Sequence, residues 1–206
     1  MSHDTWLHKI ARFTIVRPLV PTRVTPNHLT TVRIIAGVSA AVALGTGQPG
    51  WSAAGAGLFI LSMLLDRADG DLARLTGRTS PGGHAYDLFA DTLCNALIFV
   101  GLGIGLRGSE FGFWAIPMGL LAGAAVATVL LLVVRIEALQ GARAAEIGSF
   151  MGFDPDDAML FVPLAILIGW NEGLLIAATI GAPVFALLFA VLFRKALRAG
   201  AASGPA

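Results

Sequence analysis

Five aspartates crowd one stretch of an otherwise apolar chain, LDRADGDLARLTGRTSPGGHAYDLFADTLCN at residues 65–95. Asp66 and Asp69 share a helical face with Gly70, Ala73 and Arg74 at the end of one apolar run, because residues three and four apart are neighbours on a helix. Asp87 and Asp91 stand one turn apart at the start of the next run. A short turn holding Pro81 and Gly82 brings the second helix back antiparallel, so the four carboxylates are expected to converge on one small volume. Four converging carboxylates repel one another strongly in a low dielectric unless cations sit between them. Oxygen-only ligation suits hard divalent ions such as Mg²⁺, Mn²⁺ or Ca²⁺, and nothing nearby offers a thiolate set for a softer metal. Mg²⁺ usually shares its shell with substrate phosphates, so the expected chemistry is on a phosphate-bearing substrate. Asp71 lies off the shared face and reads as a helix-end charge paired with a nearby arginine.

The elements that must position these groups are membrane helices. The 206 residues are 56% hydrophobic and only 13% charged, and the mean hydropathy is +0.77. A soluble domain carries about 25% charged residues. The expected fold is an all-α integral membrane protein forming one domain over residues 1–206. Six transmembrane helices are placed at 29–46, 51–75, 84–106, 112–138, 157–170 and 173–194, each to be judged against the roughly 20 residues a span needs. Turn formers fill the breaks: Gly45 to Gly50, Pro81 to Gly83, Gly108, Gly152 to Pro155, and Asn171 to Gly173. Ahead of them, residues 3–18 read as an interfacial amphipathic helix. Trp6, Ile10 and Phe13 take one face, His8, Lys9 and Arg12 the other, and Pro18 and Pro21 close it. No cleavable leader is expected, since the first 25 residues carry charge throughout.

Placement of charge gives the orientation. With the N-terminus cytoplasmic and six spans, 13 of the 14 basic residues fall at inside ends and only Arg107 faces out. Both termini and the aspartate cluster are then cytoplasmic. Asp66 lies 15 residues after Trp51, or roughly 22 Å along a helix, below the headgroups of a hydrocarbon core about 30 Å thick. The lone Cys94 reads as a packing residue, and His84 as a helix-start residue rather than a ligand. Gly101-x-x-x-Gly105 and Gly119-x-x-x-Gly123 permit close helix contact, within the fold or across a dimer.

The full pattern is Asp66-x-x-Asp69-Gly70-x-x-Ala73-Arg74, eight residues, Gly83, three residues, Asp87, three residues, Asp91. It resembles, without gap or substitution, the signature of the CDP-alcohol phosphotransferases. Eight positions are fixed over 26 residues, and TPNHLTTVR at 25–33 looks like the stretch that opens the first span in many members. The resemblance implies transfer of a phosphoalcohol group from a CDP-linked donor to an acceptor hydroxyl, with release of CMP. It implies that Asp66, Asp69, Asp87 and Asp91 hold two divalent ions, Mg²⁺ or Mn²⁺, on the donor pyrophosphate, and that Asp91 is also the general base. Gly70, Ala73 and Gly83 would leave room for the nucleotide, and Arg74 would stabilise negative charge. Thr25, Asn27 and Thr30 are nucleotide-contact candidates that could equally cap the first span. A homodimer in a bacterial inner membrane is expected, among membrane lipids and with no nucleic-acid partner.

The expected donor is CDP-diacylglycerol and the acceptor an alcohol whose identity stays open; a soluble CDP-alcohol with a lipid acceptor is the alternative. Arg135, Arg143 and Arg194 are candidates for an anionic acceptor. Asp154, Asp156 and Asp157 and the threonine at 92 weaken that choice, although the three carboxylates also suit a helix N-terminus. A divalent-cation transporter is the rival from another class. It fits poorly, because the carboxylates cluster near one face beside arginines that would repel a permeating cation.

Overall fold

The computed structural model describes residues 10–140 and 159–194. Among them every regular element is helical. Six α-helices follow a short N-terminal helical segment: α1 Pro26–Gly45, α2 Pro49–Thr76, α3 Pro81–Gly105, α4 Ala115–Gln140, α5 Phe161–Leu167 and α6 Asn171–Leu192. Proline is the first residue of α1, α2 and α3, where its fixed φ suits a helix start and its missing N–H costs nothing. Gly77 ends α2 at φ +65°, a left-handed conformation that glycine adopts without strain, and Arg78 N–H closes the cap on Ala73 O at 3.0 Å. Ser80 caps α3 by accepting from Gly83 N–H at 3.0 Å.

Four helical stretches are long and apolar enough to cross a membrane: Pro26–Gly45, Pro81–Gly108, Gly112–Ile136 and Asn171–Leu192. They mark a membrane protein. The expected second and fifth spans do not meet that standard. At 28 residues α2 has the length, but Asp66, Arg67, Asp69, Asp71 and Arg74 make its second half polar. The seven described residues of α5 reach only about 10 Å. Residues 157 and 158 of the fifth expected span, with Asp154 and Asp156, lie outside the described residues.

The helices pair around a ring: α1 with α2, α2 with α5, α5 with α6, α6 with α4, α4 with α3, and α3 with α1. One apolar core, including Leu44, Phe59, Ile98, Ala122, Val162 and Leu175, draws a residue from each helix. The sequence suggests that α2 and α3 return along one another, but they touch little. Instead α1 packs along both. Its small residues Ala36, Gly37, Ala40 and Ala41 form the buried face, and Cys94 packs there against Gly37.

The two glycine pairs act inside the fold. A Cβ on Gly101 or Gly105 would collide with the backbone of α1 at Ala41 or Leu44, and one on Gly119 or Gly123 with α3 carbonyls at Phe99 or Ala96. They give no separate support to a dimer.

The N-terminal segment departs from expectation in two ways. Residues 3–9, with Trp6, His8 and Lys9, lie outside the described residues. Pro18 does not close the helix, which runs π-helical over Arg12–Val16 and on through Arg17–Leu19. The wider i→i+5 turn, closed by Arg17 N–H on Arg12 O, accommodates a proline that would clash in a regular helix interior. The packed face is then Ala11, Ile15, Val16 and Leu19, set against Leu65, Ala68 and Leu72 of α2. Ala11 and Val16 are five residues apart, the π spacing. Ile10 and Phe13 point outward, and the Arg17 guanidinium lies 4.0 Å from the Phe13 ring centroid.

Because backbone lines both sides of the α3–α4 contact, Gly119→Leu should destabilise the protein by about 1–3 kcal/mol or more. Gly57→Ala, at an exposed position with open space around it, should be near neutral. Thermal unfolding of the two variants in detergent checks the contrast; equal midpoints would contradict the packing.

Candidate active site

The site lies at the end of the bundle where α2 finishes and α3 begins. Asp66 and Asp69 come from the last turns of α2, Asp87 and Asp91 from the first turns of α3, and between them stands α1 with Thr30 and Arg33. Asp66, Asp69 and Asp87 each offer a carboxylate oxygen, and these three atoms lie within 4.8 Å of one another. Asp91 is one turn further along α3 and falls outside that group of three. The donors are all oxygen and come from two helices, which fits a hard divalent ion better than a soft one.

Each carboxylate is anchored. Asp69 is 3% exposed and its Oδ2 accepts from Thr30 Oγ1 at 2.7 Å. Thr30 itself is buried, so its hydroxyl orients a carboxylate. Asp91 Oδ1 accepts from Asn95 Nδ2 at 2.9 Å, one helical turn away. The dominant partner is Arg33, 2% exposed. Its Nη1 lies 2.6 Å from Asp66 Oδ1 and 2.9 Å from Asp87 Oδ1, and its Nη2 lies 2.6 Å from Asp91 Oδ1. One guanidinium therefore ties three of the four aspartates together.

Sequence reasoning placed Arg33 among the inside charges and at the end of the TPNHLTTVR stretch, and gave it no role in the site. A signal was present. Leu29, Arg33, Gly37 and Ala40 run at helical spacing, which puts the arginine in line with the small residues of the buried face. Asn95, four residues after Asp91, was legible by the same rule.

The remaining candidates surround this cluster. Thr25 occupies the N-cap of α1, with its N–H donated to His28 Nδ1 at 3.3 Å. Gly83 lies beside Asn27: a Cβ there would stand 3.3 Å from Asn27 Oδ1 and 3.1 Å from Ser80 Oγ. Tyr86 and Thr31 share a hydroxyl contact of 3.0 Å between α3 and α1. Gly70 and Ala73 lie on α2 in helical register with Asp66 and Asp69, with the Arg74 guanidinium near Gly70. Arg74 pairs with Asp71 at 2.6 Å, the helix-end pairing expected of Asp71, and keeps half its side chain exposed. His84 is exposed on the first turn of α3 and outside the carboxylate group.

Arg135 and Arg194 are exposed near the C-terminal ends of α4 and α6. Ile136 packs with Phe189 and Phe193, so those two ends meet. The antiparallel contacts of α3 with α4 put them at the same end of the bundle as the aspartates. Arg143 and Asp157 lie outside the described residues.

The arrangement combines converging carboxylates, an internal guanidinium and small residues beside them, in a membrane protein. No curated protein matches the chain. The family model for CDP-alcohol phosphatidyltransferase matches residues 23–195, which takes in α1 to α6 and every described residue of the carboxylate cluster. The chain belongs to the CDP-alcohol phosphatidyltransferase family.

Proposed function

We propose that this protein transfers a phosphatidyl group from CDP-diacylglycerol to the hydroxyl of a water-soluble alcohol and releases CMP. The observation that carries the reading is the group of Asp66, Asp69 and Asp87 oxygens within 4.8 Å of one another, in a chain of this family. Supporting the choice of donor is the place of that group, at one end of an apolar bundle. A nucleotide can reach it from water while acyl chains remain in lipid alongside. The charge distribution supports a cytoplasmic site and cytoplasmic termini, because 13 of 14 basic residues then lie inside.

In this reading Asp66, Asp69, Asp87 and Asp91 hold two Mg²⁺ or Mn²⁺ ions against the donor pyrophosphate. The ions would supply Lewis-acid stabilisation of the negative charge on the phosphate oxygens. The chain's own groups do the rest. Gly70, Ala73 and Gly83 leave space for the cytidine nucleotide, and Asn27 beside Gly83 offers it a polar contact. Arg74 at the rim offsets donor charge while remaining close to Asp71.

Asp91 gives Oδ1 to Arg33 and Asn95, which leaves Oδ2 to accept the acceptor's proton. As that proton moves, the acceptor oxygen bonds to the diacylglycerol-bearing phosphorus and the bond to the CMP oxygen breaks. Arg135 and Arg194, with Arg143, would meet an acceptor that carries a phosphate. The protein works as a homodimer in a bacterial inner membrane in this reading.

Asp66→Asn, Asp69→Asn and Asp87→Asn should each reduce transfer to background, and excess EDTA should do the same to the unaltered enzyme. Full activity in EDTA would remove the metal from the mechanism. Asp91→Asn should lower kcat by about 10²–10⁴-fold with a much smaller change in donor binding. Near-normal turnover would mean that another group takes the proton. For the donor, purified enzyme in liposomes should release CMP from CDP-diacylglycerol when alcohol acceptors are supplied. CMP released only from soluble CDP-alcohols would reverse the roles of lipid and alcohol.

A further inference from the structure

Arg33 is the one described side chain that touches carboxylates from both α2 and α3. It is almost fully buried, and its two terminal nitrogens serve three different aspartates at 2.6–2.9 Å. Its Nε has no hydrogen-bond partner, so the polar reach of the side chain goes to the carboxylates. The backbone beneath is fixed as well, because Arg33 O accepts from Ser62 Oγ on α2 at 3.2 Å. Asp66, Asp87 and Asp91 each present Oδ1 to the guanidinium, and Arg67 on α2 stands 3.9 Å from Oδ2 of Asp66. The flat, forked guanidinium can span such a set, whereas a lysine ammonium is a point charge on a flexible stem.

We propose that Arg33 is a positioning residue and a built-in counter-cation: it holds Asp66, Asp87 and Asp91 in ligand geometry before divalent ions arrive, and shares their charge afterwards. Four carboxylates from two helices, set in an apolar bundle, push apart when nothing positive lies among them. The guanidinium opposes that push from α1, the helix packed along both others. An ordinary interhelical ion pair would matter equally with and without metal. A counter-cation that stands in for absent ions matters most when they are absent. The second part of the proposal rests on the two-metal reading above; the first does not.

Thermal unfolding of the full chain in detergent, in EDTA and in saturating Mn²⁺, separates these possibilities. In EDTA, Arg33→Met should lower the midpoint by on the order of 10 °C, with Arg33→Lys between it and the unaltered protein. Mn²⁺ should then raise the midpoint of both variants by more than it raises the unaltered protein's. Adding Asp87→Asn to Arg33→Met should recover part of the EDTA loss, because one of the unbalanced charges is gone. If Arg33→Met does not yield folded protein, Arg33→Lys carries the comparison alone. Equal losses in EDTA and in Mn²⁺ would overturn the proposal, as would a Met or Lys variant as stable as the unaltered protein in EDTA. If Mn²⁺ leaves even the unaltered protein's midpoint unchanged, the two-metal reading and this proposal fall together. A normal Mn²⁺ response there with no larger response in the variants overturns this proposal alone.

Discussion

Negative charge concentrated inside an apolar bundle is the constraint on which this structure turns. Asp66, Asp69, Asp87 and Asp91 cannot face one another in a low dielectric without compensation. The chain supplies part of it through Arg33 and part through neutral donors, Thr30 on Asp69 and Asn95 on Asp91. Two of these three residues lie on α1. That helix is therefore more than a spacer: it provides the guanidinium that reaches both carboxylate-bearing helices and the hydroxyl on Asp69, while α2 itself adds only Arg67, 3.9 Å from Asp66. Its buried face needs small residues at Ala36, Gly37, Ala40 and Ala41 so that α2 and α3 can approach closely enough for Arg33 to reach both.

The same constraint explains why the helices are so unequal in character. The first half of α2 is apolar and its second half is rich in charge, so by composition α2 falls short of an ordinary span. Only the part that meets the other helices' polar groups carries that charge. By contrast α4 and α6 carry one carboxylate each, Glu137 and Glu172, placed towards a helix end, and present apolar surface outward, with Leu131, Ile180, Leu187 and Leu192 all exposed. In a bilayer such apolar surface suits contact with lipid tails. Polarity and burial are thus concentrated around α1, and the outer helices complete the wall.

Much of this was legible in the sequence. Periods of three and four placed the aspartates on shared faces, and the turn formers around Pro49 and Pro81 placed the starts of α2 and α3 to within a few residues. What could not be read was which helices pair. A tight turn between α2 and α3 suggests direct packing, yet nothing in a single chain tells that α1 inserts between them over most of their length. Arg33 was hidden for a related reason. A lone arginine near the start of a span is an inside charge by the positive-inside rule, and its burial exists only once α2 and α3 flank it. The N-terminal segment failed by phase: a regular helix groups Ile10 with Phe13, but a π turn around Pro18 sets Ala11, Val16 and Leu19 inward instead.

The anchoring pattern also separates the four aspartates by the work they can do. Asp69 is the most buried of the four and is held by the neutral hydroxyl of Thr30. Asp66 and Asp87 join it within 4.8 Å while each gives one oxygen to Arg33. Asp91 stands apart from that group, with Oδ1 accepting from both Arg33 and Asn95 and a side chain about as exposed as those of Asp66 and Asp87. One guanidinium at the junction of three helices anchors Oδ1 of Asp66, Asp87 and Asp91 together, so carboxylates from two helices share a single fixed point on a third.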